Sequence, residues 1–190
     1  LTVAGAITTT DTTSEAITLN AGKSTAAGTT SGGDIVLSGS TSISSGGFVK
    51  LYTGSVAGSA GLSALIGSGS GRFRYASDEA TTHFSTALSS GNNAIYRESF
   101  AITVTPTAYT STYGAAVSPT AFSVLGTSLP NGDSLGTISA TINSTGTSNS
   151  NVGSYDLSVT GLPAYDSLGY ALTGATNSGG HTISKAHLTV

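Results

Sequence analysis

Three apolar bursts punctuate the first sixty residues: Ile17-Thr18-Leu19, Asp34-Ile35-Val36-Leu37 and Phe48-Val49-Lys50-Leu51-Tyr52. Each is too short for a helix, and glycines stand before or after every one, at Gly22, Gly32, Gly33, Gly39, Gly46, Gly47 and Gly54. Glycine serves tight corners and bulges. Very short strands with glycine corners are the material of a β-solenoid, whose rungs stack at the inter-strand spacing of about 4.8 Å. The bursts are unevenly spaced, 18 residues from Ile17 to Ile35 and 14 from there to Val49. Residues 1–60 are therefore expected to form β-solenoid-like rungs, a short parallel β-helix, with a β-sandwich as the competing arrangement.

Composition supports an ordered all-β chain. Serine and threonine number 63 of 190 residues, and only 8% are charged. Disorder needs low hydrophobicity together with high charge, and neither holds here. Threonine and β-branched residues suit a pleated surface. The chain has no Cys, which removes any disulfide framework. It has no Met and opens at Leu1, so it reads as a processed or excised piece of a larger protein. No apolar run reaches transmembrane length, and no membrane insertion is expected. A net charge of −3 argues against nucleic acid as a partner.

The texture changes along the chain. Arg72, Arg74, Asp78, Glu79, Arg97 and Glu98 crowd into a short stretch, and residues 61–100 are expected to be a charged segment capping the open end of the rungs. Residues 101–190 alternate more cleanly. Ile138, Ala140 and Ile142 define one period-two face, Tyr155, Leu157 and Val159 another, and Ala186, Leu188 and Val190 a third. Turn signals at Asn131-Gly132-Asp133 and Asn151-Val152-Gly153 separate them. A compact sandwich-like β module follows, with a bulge near Ser184-Lys185 and at most a short helical turn near Ser134-Leu135.

Two family patterns match these stretches. Gly46-Gly47-Phe48-Val49-Lys50-Leu51-Tyr52-Thr53-Gly54-Ser55, then Gly71-Arg72-Phe73-Arg74-Tyr75-Ala76-Ser77-Asp78-Glu79 and Ala94-Ile95-Tyr96-Arg97-Glu98, resemble the part of large filamentous-haemagglutinin-type exoproteins that leaves their parallel β-helix. The second half resembles the MBG-type repeat module of bacterial surface proteins. It does so through Tyr113-Gly114, Asn131-Gly132-Asp133-Ser134-Leu135-Gly136, Val152-Gly153-Ser154-Tyr155 and the closing Ile183-Ser184-Lys185-Ala186-His187-Leu188-Thr189-Val190. The resemblance implies secretion and tandem repetition, and it supplies no catalytic residues.

The residues themselves offer little chemistry. His83, His181 and His187 stand in no metal-ligand spacing and read as exposed strand and loop histidines. Thirty-two serines make any Ser/His pairing uninformative by sequence, and Gly67-Ser68-Gly69-Ser70-Gly71 is a turn run, not a nucleophile elbow or a phosphate loop. Asp78 and Glu79 would point to opposite faces of a strand, and a surface salt-bridge network with Arg72 and Arg74 is expected. A calcium site there would lack most of its six to eight oxygens. The eight tyrosines are the most plausible binding feature, as sugar-stacking faces, against a plain role in core packing. Asn143-Ser144-Thr145 fits the N-glycosylation pattern.

These readings converge on a non-catalytic structural segment of a large secreted or surface-displayed bacterial adhesin or extracellular filament, acting as a repeat spacer outside the cell. An adhesin module that itself binds a glycan or host surface is the alternative. A polysaccharide-degrading enzyme on a solenoid would cluster its charges along one groove, and here they are scattered. No cofactor and no metal is expected. The expected partners are neighbouring modules or copies of the same protein, and glycans under the alternative. The phrases Leu1-Thr2-Val3, Ile102-Thr103-Val104 and Leu188-Thr189-Val190 suggest strands that join modules into a rod, with Leu1 and Val190 at opposite poles.

Overall fold

A computed structural model describes residues 1–125 and 129–187. The fold is β throughout, with almost no helix. The described residues fall into two compact units. Unit 1 holds residues 1–100, 129–136 and 165–171, so the chain leaves it and re-enters it twice. Unit 2 holds the remaining stretches, 101–125, 137–164 and 172–187.

Unit 1 is built on parallel pairing. Strands β1 (Thr2–Val3), β2 (Ala6–Thr8) and β3 (Ile17–Asn20) are followed by β4 (Val36–Leu37), β5 (Ser42–Ser44) and β6 (Phe48–Thr53). The second three pair with the first three in the same order: β1 with β4, β2 with β5, β3 with β6, all parallel. Partners lie 34 residues apart at Thr2 and Val36, 36 at Ala6 and Ser42, and 32 at Ile17 and Val49. After a short helix α1 (Leu62–Ile66) come β7 (Phe73–Arg74) and β8 (Gly91–Tyr96). They complete a four-stranded sheet in the order β3-β6-β8-β7, again parallel.

In-register parallel ladders stack like positions. Leu19, Leu51 and Ala94 are successive partners, as are Ile17, Val49 and Asn92. Along β6 burial alternates, with Val49, Leu51 and Thr53 inside. Val49 and Leu51 are fully buried. Each such side chain contributes about 1.5–3 kcal/mol relative to exposure. Gly47, which leads into β6, lies against the backbone of Thr12 and Thr13, and any side chain there would collide with it. Phe48 N donates to Thr13 O at 3.0 Å across the same contact. That is why Gly46-Gly47 precedes the longest burst.

Unit 2 mixes directions. Strands β9 (Ala101–Pro106), β10 (Tyr109–Thr112), β11 (Phe122–Leu125), β12 (Thr141–Ser144), β13 (Gly153–Thr160), β14 (Ala171–Gly174) and β15 (Thr176–Ser184) form two sheets. One is three-stranded, β11-β9-β14, and the other four-stranded, β10-β15-β13-β12. In the larger sheet β10 runs parallel to β15, while the other pairs are antiparallel. Ile102, Val104, Ile142, Leu157 and Ile183 are buried.

Several sequence expectations shift. Of the Ile138-Ala140-Ile142 face only Ile142 lies in a strand and is buried, because β12 begins at Thr141. The bulge falls at Ser178–Gly180 instead of Ser184-Lys185, since Tyr155 opposes His181 while Leu157 opposes Asn177. Gly179 takes φ +67° there, and the Asp156 carboxylate accepts from Gly179 N at 2.8 Å and Ser178 Oγ at 2.9 Å. Short helical turns occur at Leu62–Ile66 and Pro130–Gly132 and not at Ser134-Leu135. β15 ends at Ser184, and Leu188 and Val190 of the third expected face lie outside the described residues, with the end-to-end expectation that rests on Val190.

Candidate functional site

The chemistry-bearing side chains of unit 1 act first on its own loops. Arg97 follows β8 and is fully buried. Its guanidinium donates to three carbonyls of one loop: Ala21 O at 2.8 Å, Gly33 O at 2.8 Å and Ser31 O at 3.3 Å. Arg74 on β7 does the same for its neighbourhood, reaching Gly71 O, Phe73 O, Thr86 O and Ala87 O at 2.8–3.1 Å. Burial lowers the Arg74 pKa, which Asp133 and Asp166 partly offset through space. A planar fork with five donors suits carbonyl clamping of this kind.

The carboxylates are the complement. Asp34 accepts from Ser55 N at 2.6 Å, Glu98 from Val56 N at 2.7 Å, and Asp166 from the N–H groups of Leu168, Gly169 and Tyr170 at 2.8–2.9 Å. Asp78 Oδ1 accepts from Ala80 N and Thr81 N, and its Oδ2 from Ala27 N at 2.7 Å. Glu79 accepts from Ser24 N and from Asn20 Nδ2 at 3.1 Å. Burial works to raise the Asp78 pKa, but the three N–H groups prevail and hold it below its ordinary value; Glu79 is likewise lowered, mainly by Ser24 N–H. The expected salt-bridge network with Arg72 and Arg74 is therefore replaced by bonds to backbone. Among the described residues the ion pair is Lys50 with Glu15. Nor do Asp78 and Glu79 oppose each other across a strand: they lie in a loop, and both serve residues 20–27.

A cavity of about 280 Å³ opens beside this pair, lined by Ser24, Thr25, Ala26 and residues 78–81. Its carboxylate oxygens are already occupied by N–H groups. Among the described residues no three His, Asp or Glu side chains gather closely enough to hold a metal ion.

An aromatic cluster lies buried in unit 1. Tyr75 stacks on Tyr96 at 5.5 Å, meets Tyr170 at 4.6 Å and takes the edge of Phe100 at 5.4 Å. All three tyrosines are fully buried. The segment Pro130–Gly132 brings Asp133 and Asn131 to them: Tyr75 Oη donates to Asp133 Oδ2 at 2.6 Å, Tyr170 Oη to the same oxygen at 3.3 Å, and Asn131 Nδ2 donates to Tyr75 Oη at 3.0 Å. Burial pushes the Tyr96 phenol up to about 12 and raises Tyr75 and Tyr170 as well. Burial also raises Asp133, against the two phenolic donors. Gly169 sits at φ +101° against the Tyr75 backbone, where a side chain would collide with the Tyr75 carbonyl. These three tyrosines are core, not sugar-stacking faces.

Unit 2 contains the arrangement sequence reading passed over. His181, expected to be exposed, is fully buried on β15. Ser144 Oγ lies 2.7 Å from its Nδ1 and Ser111 Oγ 2.8 Å from its Nε2, with Tyr109 and Tyr155 packed on the ring at 5.1 and 6.0 Å. Gly146 N donates to Ser144 Oγ at 3.0 Å as well, so the two serine hydroxyls hold both ring nitrogens and Ser144 is itself held by the backbone. Ser144 also borders a cavity of about 370 Å³ with Val117, Pro119 and Thr147. A nucleophilic serine needs free N–H donors for the oxyanion. Here Gly146 N is taken by Ser144 itself, Thr145 N by Asp156 O and Thr147 N by Ser150 Oγ. The cluster is a polar knot between strands. The signal for it was the two-residue step from His181 to Ile183, which puts both on the inner face.

Of the other singled-out residues, His83 is half-buried and stacks on Tyr165 at 4.1 Å, and His187 is exposed. Tyr113 is 49% exposed at the end of β10. Asn143 is exposed on β12, with its amide donating to Thr160 Oγ1 at 2.7 Å. Compared with protein-family models, curated proteins and solved structures, the chain matches none.

Proposed function

We propose that this chain is a structural segment of a large secreted or surface-displayed bacterial adhesin or extracellular filament, a spacer in which a short parallel β-helix is joined to a sandwich-like module of MBG type. The observation that carries the reading is the re-pairing of β1, β2 and β3 with β4, β5 and β6, in the same order and after 32–36 residues. One turn of a parallel coil has this signature. The unequal bursts at Ile17, Ile35 and Val49 then belong to one coil and the start of the next. The use of charge agrees with a scaffold. Every acid of unit 1 but Glu15 and Asp133 accepts backbone N–H groups, so side chains that elsewhere do chemistry here fix loops.

The second reading, a module that contacts a glycan or host surface, is favoured by the exposed ring of Tyr113 and the half-buried His83–Tyr165 stack. A glycan array probed with the whole 190-residue chain separates the two. The spacer reading expects no saturable binding. Saturable binding that is lost on Tyr113→Ala or Tyr165→Ala overturns it in favour of the second.

A further inference from the structure

Asp133 is the one acid of unit 1 whose carboxylate meets neither backbone N–H groups nor a cation among the described residues. Its Oδ2 receives the Tyr75 and Tyr170 hydroxyls, and its Oδ1 is buried without a partner. The groups that face it are few. From β7 and the residues after it come Arg74 and Tyr75, from β8 Tyr96, and from residues 165–171 Asp166 and Tyr170. The Arg74 guanidinium is committed to the carbonyls of Gly71, Phe73, Thr86 and Ala87 and makes no ion pair with Asp133. Helix α1, which reaches Asn131 through Ser63, carries no charged residue.

The hydroxyl of Tyr75 has two acceptors within reach, Asp133 Oδ2 at 2.6 Å and Pro130 O at 3.4 Å. The same heavy atoms therefore support two proton arrangements. With Asp133 ionised, Tyr75 donates to Oδ2, and a buried charge is left with one oxygen bare. With Asp133 protonated on Oδ2, the acid donates to Tyr75 Oη and Tyr75 turns its own proton to Pro130 O. The second arrangement removes the uncompensated charge, which is the costly element in a buried polar cluster.

We propose that Asp133 is a pH-sensitive latch: its protonated carboxyl pins residues 129–136 to the Tyr75–Tyr170 cluster of unit 1, and its ionisation loosens them. Folding favours the proton-bound form, so the contribution of this group is fully present below the ordinary aspartate value of 3.8 and is lost as pH rises through the higher, folded value. Asp78 and Glu79, in the same unit, run the other way. Global melting would mix the two, so the test is local. Amide hydrogen exchange of residues 129–136, corrected for intrinsic rate, should be several-fold faster at pH 8 than at pH 5 in the wild type. In Asp133→Asn, a neutral isostere, that difference should vanish. The carboxyl ¹³C signal of Asp133 in the unmodified chain should titrate above 3.8, and Tyr75→Phe, which takes a charge-assisted bond from the ionised form and a weaker one from the protonated form, should move the midpoint higher. A midpoint at or below 3.8, a midpoint unmoved by Tyr75→Phe, or the same pH-dependent exchange in Asp133→Asn overturns the latch. The carbon titration decides the matter even if Asp133→Asn fails to fold.

Discussion

Unit 1 carries thirteen of the fifteen Asp, Glu, Lys and Arg residues, whereas unit 2 keeps only Asp156 and Lys185. The difference follows from strand direction. Parallel neighbours cannot be joined by a two-residue turn. Between β3 and β4, and again between β7 and β8, unit 1 runs long loops whose carbonyls and N–H groups face no ladder. Buried backbone groups must still be satisfied. Arg97 and Arg74 supply the donors, and Asp34, Asp78, Glu79, Glu98 and Asp166 supply the acceptors. In unit 2 the antiparallel ladders β12-β13-β15 pair the backbone themselves, and His181 with two hydroxyls forms the buried polar cluster. Charge in this chain marks where backbone pairing runs out.

The sharpest way to break the comparison is Arg97→Ala. It opens a cavity and strands the carbonyls of Ala21, Ser31 and Gly33, so unit 1 should lose about 3–5 kcal/mol. Urea unfolding measures the loss, and amide exchange should localise it to residues 21–33. A loss under about 1 kcal/mol would mean that the loop holds itself. The counterpart in unit 2 is His181→Phe, which keeps the ring stacking but takes the imidazole partner from the Ser111 and Ser144 hydroxyls. About 1–3 kcal/mol is expected, read from the same unfolding curves. If the substitution is neutral or stabilising, the polar knot contributes no net stability and the contrast between units weakens.

Asp78→Asn sharpens the picture through pH. The carboxylate of Asp78 is held below its ordinary value, so its contribution is present above about pH 4 and fades as pH falls through the lowered value. The variant should be destabilised by about 1 kcal/mol at pH 7. That deficit should close in acid, where the wild type is protonated too. A deficit that persists unchanged at pH 2 would trace the effect to packing instead. The smallest effect belongs to the exposed pair: Lys50→Ala should cost less than about 0.5 kcal/mol, and 0.5 M salt should erase most of it.

How much of this was readable in the residues differs between the units too. The all-β class and the bursts at Ile17, Val36 and Val49 were legible, because short β-branched runs bounded by glycine have few other uses. The period was not. Successive bursts suggested steps of 18 and 14, but the paired residues are Ile17 and Val49, 32 apart, the sum of the two. The strands between them are dissimilar, and only a comparison at every third strand exposes the pairing. The staples were illegible for a related reason. Asp78 and Glu79 bond a loop more than 50 residues upstream, and backbone acceptors leave no pattern in sequence. Asp133 looked like a turn residue of the second half, and nothing local reveals that its segment, or that of Asp166, belongs to unit 1.

That double return of the chain to unit 1 has a consequence for how the molecule comes into being. Tyr75 waits 58 residues for Asp133, and its carbonyl face waits 94 for Gly169. Closing such separations costs chain entropy before any contact rewards it, and it slows folding. A chain emerging from its N-terminus can lay down β1 to β8 as they appear, but the aromatic cluster stays incomplete until residues 129–136 and 165–171 have followed. Completion of the first unit thus waits on segments that follow parts of the second. A version cut after residue 100 would carry β1 to β8 with Tyr75 deprived of Tyr170 and Asp133.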